Sequence, residues 1–329
     1  MKVLQDVLER MVGEARAERL LRVLVVPGAL LADEGPRVSR AVLAQALNML
    51  LFEDLLARVP MAEAYVVDCL RDAKTVLHDH GAVRTVALVG MGGLPAGEEA
   101  IVRLLRPLGY VRNGLYPLER LKMTGRSYAQ ADFPEEIAQF FVSELHPERF
   151  SAEFQAAVER VAGTSVDPLT PVGDRWLAEL ETRGSVDRAG ALDLLPVLVG
   201  CFQRQHEAPA IEDYEALKAE SAEMAWISTE GNAFNHATDR VADVEALTVE
   251  QKALGRPMKE VVETSRSGRV KQTAFLAAQV EREFKGGSRR VVPGSFIEFI
   301  ARMPVEDGGL DLSFDSSNAQ AIFKMTAGS

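Results

Sequence analysis

The chain is poor in the features that place a protein quickly. It has only two cysteines, Cys69 and Cys201, each inside an apolar helical pattern and without metal-ligand spacing. They read as buried free thiols in a reducing cytoplasm. Basic residues are outnumbered, 37 Lys and Arg against 48 Asp and Glu, for a net charge of −11. That balance argues against nucleic acid as the main partner. Long apolar runs are missing too: LLRVLVVPGALLA is broken by Arg22, Pro27 and Gly28 and is too short to span a membrane. The opening MKVLQDVLERM carries acids early and reads as an amphipathic helix, not a signal peptide. No G-x-S-x-G elbow and no H-E-x-x-H pair occurs. LVGMGGLPAG follows a strand-like segment but lacks G-x-G-x-x-G spacing and a P-loop lysine, so plain loop glycines are expected there.

What is present is ordinary globular material, 47% hydrophobic and 26% charged in 329 residues. Residues 3–22 place Leu4, Val7, Leu8, Met11, Val12 and Ala15 on one helical face. Ser39 reads as the N-cap of a long helix that Pro60 ends, and a further helix is expected from about Met61 to Leu77. The period then changes: HDHGAVRTVALVG and AQFFVSEL read as strands. Residues 149–225 turn helical and charged, and read as a helical insert. Strands return at MKEVVET, VKQTAFLA and VVPGSFIEFI, with a last helix over Ser317 to Lys324. The pattern is α+β. Its expected divisions are an N-terminal helical segment (1–78), a first part of a β-sheet domain (79–148), the insert (149–225) and a second part (226–329).

VVPGSFIEFI holds an acid in apolar company. By strand alternation Phe296, Glu298 and Ile300 point one way and Ile297 and Phe299 the other, and neither face looks solvated. A carboxylate there needs a partner: a base such as Arg84, Lys259 or Lys271, or a metal ion. Five histidines exist, and His80 and His236 lie at strand-like positions in HDHGAVRT and FNHATDRV. With Glu298 they make the ligand set of a two-His, one-carboxylate iron site. Composition alone does not single out that trio.

HGAVRT, FVSEL, FNHATDRV, GRPMKEVVE, VKQTAF, VPGSFIEFI and FDSSNAQAIFKMT, in this order, resemble the 2-oxoadipate dioxygenase/decarboxylase family. The likeness runs from about Asp79 to Thr326 and is thin between about Phe150 and Trp226. It implies a vicinal-oxygen-chelate-like curved mixed β-sheet around Fe(II), with His80, His236 and Glu298 as the metal ligands. It further implies that Arg84, on the face of His80 by alternation, holds the distal carboxylate of a 2-oxo diacid and counts among the catalytic residues. Gln272 and Ser295 are weaker candidates for substrate contacts. The implied reaction takes a 2-oxo acid and O2 to CO2 and a shortened 2-hydroxy acid, 2-hydroxyglutarate in the case of 2-oxoadipate. A redox-silent divalent-metal lyase or isomerase, and a metal-free binder of acidic ligands, remain open at this point. The oligomeric state is not legible.

His78 stands two residues before His80, and only one of the pair matches H-G-A-x-R. His78→Ala is therefore expected to keep its metal, and His80→Ala to lose it, in metal analysis of the purified variants; the reverse pattern would exchange their assignments.

Overall fold

The structure is a computed structural model that describes residues 2–306 and 308–314. Its centre is an eight-stranded mixed sheet curled into a half-barrel. From one edge the strands run Tyr110–Leu118, Met123–Gln130, Gln139–Leu145, His78–Val86, His236–Arg240, Phe296–Arg302, Val270–Ala274 and Glu263–Thr264. Two neighbouring pairs are parallel: His78–Val86 with Gln139–Leu145, and His236–Arg240 with Phe296–Arg302. The two central strands, His78–Val86 and His236–Arg240, are antiparallel and join segments about 150 residues apart in the chain.

Alternation sorts the strand side chains between two cores. Val83, Phe140, Val142, Ala237, Ile297 and Phe299 face outward into a core built with the N-terminal helices. Chief among these is Arg40–Arg58, whose N-terminus is capped by the Ser39 hydroxyl accepting from the Val42 N–H. Fourteen of its residues are buried, so it serves as a core helix rather than an amphipathic one. Val86, Leu118, Met123 and Leu145 face inward at one end of the half-barrel. There they pack against helices of the 149–230 stretch through Phe154, Val158, Leu217, Met224 and Trp226. Those helices close that end.

Several local expectations change. Residues 3–22 form two helices, Val3–Val12 and Glu14–Val23, because Gly13 (φ 84°, ψ 158°) takes a backbone turn that side chains disfavour. Pro60 both ends one helix and opens the next, Pro60–Arg71, which stops six residues earlier than its apolar pattern suggests. VVPGSFIEFI is two strands in different sheets: Arg289–Pro293 pairs with Gln279–Glu283 in a separate hairpin, and the half-barrel strand begins only at Phe296. Of MKEVVET, only Glu263–Thr264 is strand. The helix expected at 317–324 lies outside the described residues.

One buried acid ties helix to sheet. Asp239 accepts from the Tyr65 hydroxyl at 2.7 Å and the Leu77 N–H at 2.9 Å. Burial pushes its carboxyl up from 3.8 to about 7, against the pull of those two donors. A raised folded value means that the folded state holds the proton more tightly, so stability is lost as pH rises from about 4 to 7. The difference corresponds to roughly 4 kcal/mol at ~1.4 kcal/mol per tenfold. Asp239→Asn keeps the acceptor and removes the titration. Its denaturation midpoint is expected to fall less than wild type's between pH 5 and 7.5; parallel curves would contradict this.

Candidate metal centre

The inward face carries the chemistry. Register places His80 opposite Thr238, Ala82 opposite His236, and Glu298 opposite Thr238 on its other side. Three strands thus bring His80, His236 and Glu298 together, all buried, with one ligand atom of each within 4.8 Å of the others. Glu298 Oε2 lies 3.2 Å from His80 Nε2 and 3.5 Å from His236 Nε2, and accepts from the Thr238 hydroxyl at 2.8 Å. The other bases weighed for Glu298 are engaged elsewhere: Lys259 with Glu263, and Lys271 with Glu245.

The donors suit a metal ion. His80 Nδ1 is 2.9 Å from Asp79 Oδ1 and His236 Nδ1 is 3.2 Å from Asn235 Oδ1. An acceptor at each Nδ1 fixes the ring orientation and turns each Nε2 toward Glu298. Among the described residues Glu298 Oε1 is buried and meets no hydrogen-bond donor, an orphan that a cation would satisfy. Burial alone would raise the Glu298 carboxyl, but His80, His236 and Thr238 hold it below the usual range. Burial drives His236 down to about 3, so it is a neutral imidazole.

A bulge separates the two neighbouring histidines. Between His78 and His80 the strand advances two residues while its partner advances one, leaving Asp79 as the extra residue. Without it, positions 78 and 80 would share a face. With it, His78 turns outward against Phe52 and Phe234, where burial takes it down to about 3. Asp79 is thereby placed behind His80. Its carboxylate also accepts from Arg302 Nη2 at 2.8 Å and Arg240 Nε at 2.7 Å. Burial would raise it, yet Arg302 and His80 hold it well below its ordinary value. Sequence reasoning missed Asp79, although the acid beside a histidine in HDH was a signal.

Arg84 stands on the His80 face, four residues and about 13 Å further along at ~3.3 Å per residue. It is 1% exposed, and its guanidinium carbon lies 4.9 Å from the centre of the Trp226 ring. Burial pulls it down to about 10, with the charge of Glu223 acting the other way. Gln272 shares the inward face with Glu298, and its amide reaches Glu263 at 3.4 Å. Ser295 lies just before the strand, where its hydroxyl donates to the Phe234 carbonyl and accepts from Arg58.

A buried two-His, one-carboxylate cluster inside a half-barrel of mixed strands defines a class of metal-site protein. The comparisons narrow it. The model of the 2-oxoadipate dioxygenase/decarboxylase family matches residues 55–320, and the chain belongs to that family. It is 23% identical over 290 residues to the chloroplastic 2-oxoadipate dioxygenase/decarboxylase of Arabidopsis thaliana, covering 78% of this chain and 69% of the relative. A crystal structure from Ralstonia eutropha JMP134, ascribed to the glyoxalase superfamily, shares 54% identity with a TM-score of 0.92, covering 96% of this chain and 99% of that one. The rice (Oryza sativa) hydroxyglutarate synthase, solved with 2-oxoadipate, shares the fold at 18% identity and a TM-score of 0.70, over 90% and 97% of the two chains. Among the described residues no helix is long and apolar enough to cross a membrane.

Asp79 generates a test that sequence alone did not offer. Asp79→Asn keeps an acceptor beside His80 but removes the charge that anchors it, and divalent-metal affinity of the folded variant is expected to fall about 10- to 100-fold. Isothermal titration under anaerobic conditions reads it; unchanged affinity would mean that His80 is not a ligand or needs no anchor.

Proposed function

We propose that this chain is an Fe(II)-dependent dioxygenase that decarboxylates a 2-oxo diacid of the 2-oxoadipate class and releases a 2-hydroxy acid one carbon shorter. The observation that carries this reading is the pairing, on one buried face, of the His80–His236–Glu298 cluster with the Arg84 guanidinium. Bound by the three side chains, Fe(II) supplies the redox chemistry that lets O2 react with an organic acid, which no side chain supplies. The rest falls to the chain. Against the pull of burial, Asp79 and Glu298 raise His80, so its Nε2 would give up a proton as a cation binds. Glu298 and the two imidazoles would then give a donor set of net charge −1, leaving a divalent ion positive enough to attract a 2-oxo carboxylate. Asp79 and Asn235 hold the imidazole rings and their protons in place. Arg84 presents a planar fork suited to two-point capture of the distal carboxylate. Trp226 and the helices of residues 149–230 keep water from that end, which strengthens the contact. The atoms balance without a co-substrate: a C–C bond breaks to release CO2, both O2 atoms end in the products, and the oxidised acid supplies the electrons.

Arg84 separates recognition from oxidation. Arg84→Met is expected to keep Fe(II) affinity while kcat/KM for 2-oxoadipate drops about 30- to 1000-fold, the loss of a charge-assisted contact worth ~2–4 kcal/mol. A 2-oxo monoacid of equal length never makes that contact and should lose far less. Oxygen uptake with both acids measures it. Equal losses would remove the recognition role, and no uptake by iron-loaded wild type with any 2-oxo acid would remove the dioxygenase reading.

A further inference from the structure

We propose that residues 310–314 form a wall of the reaction cavity, docked by Arg302, and that Phe314 limits the bulk of the acid admitted beside His80. This rests on the function proposed above and concerns which acids the site rejects. Three observations carry it. Phe314 stands edge-on to the candidate ligand His80, ring centres 4.7 Å apart, and its other side meets Phe141 at 5.0 Å. Nothing fits between rings so spaced, so an acid held on that side of His80 meets the Phe314 edge.

The segment is also fastened by more than apolar contact. The Arg302 side chain is fully buried, and its Nη1 donates to the carbonyls of Asp311 at 2.7 Å and Ser313 at 2.8 Å. The Phe314 N–H donates to the Tyr116 hydroxyl at 3.1 Å, and the Leu310 N–H to Glu135 at 3.0 Å. A segment resting on any convenient apolar surface would not claim a buried guanidinium. Finally, the other edge of that guanidinium holds Asp79, the anchor of His80. One side chain thus sets both the ligand's support and the wall facing it. Arg302 is a positioning residue, and Phe314 determines specificity by excluded volume.

The test has two arms. Hydrogen exchange of the wild-type chain should show protected amides at Leu310 and Phe314. Arg302→Lys keeps a charge opposite Asp79 but loses the fork to the two carbonyls, and should speed exchange there at least tenfold while residues 236–240 stay protected. Unprotected amides at 310–314 in wild type would overturn the docking. In the second arm, Phe314→Ala, with Phe314→Leu as a milder companion, is assayed with 2-oxoadipate and with a methyl-branched analogue. The branched-to-linear ratio of kcat/KM should rise about 10- to 100-fold, the scale on which a pocket discriminates small apolar groups. A ratio unchanged in both variants would overturn the specificity role. If wild type turned over neither acid, the proposed function would fail by itself, and the exchange arm would still decide whether the wall exists.

Discussion

Asp79 accepts hydrogen bonds from His80, Arg240 and Arg302 on a carboxylate that has no exposed surface. A buried acid left alone would cost several kcal/mol, and so would the buried Arg302 guanidinium; together they offset each other, and removing either leaves the other uncompensated. That mutual dependence locks the strand bulge, since only an extra residue at position 79 turns both the acid and the imidazole inward. The His80 ring, the path of the chain after Arg302 and the placement of Phe314 all follow from it.

The half-barrel then supplies what a flat sheet cannot. Its outward face is sealed by the N-terminal helices, one end by the helices of residues 149–230, and part of the inward face by residues 310–314. Charged side chains on the inward face therefore sit in low dielectric, where each hydrogen bond and ion pair is stronger and each unpaired group more costly. Glu298, with one oxygen bonded and one without a donor among the described residues, is the clearest expression of that state. Arg84, on the strand of His80 and about 13 Å beyond it at ~3.3 Å per residue, is a second charge held dry by Trp226.

Much of this was legible in the chain. An acid between Ile297 and Phe299 demands a partner on any physical reading, and alternation along HGAVRT puts His80 and Arg84 on one face. The Ser39 cap and the strands at 78–86 and 139–145 follow from local pattern. What escaped depends on distant register. The bulge at Asp79 exists only relative to the His236–Arg240 strand, about 160 residues later, so the H-G-A-x-R match separates His78 from His80 in the sequence but alternation does not. The division of VVPGSFIEFI into two strands likewise depends on the hairpin partner at Gln279–Glu283. Gly13 was readable and was overridden by an apolar period that continues across it.

On the function proposed above, Glu298 is buried because a divalent cation is its partner. The most direct measurement is an anaerobic Fe(II) titration of wild type beside Glu298→Gln, a nearly isosteric change that removes the charge, with circular dichroism confirming that both are folded. The account predicts one tight site per chain in wild type and its loss in the variant. Equal stoichiometry and affinity in the two proteins would contradict it.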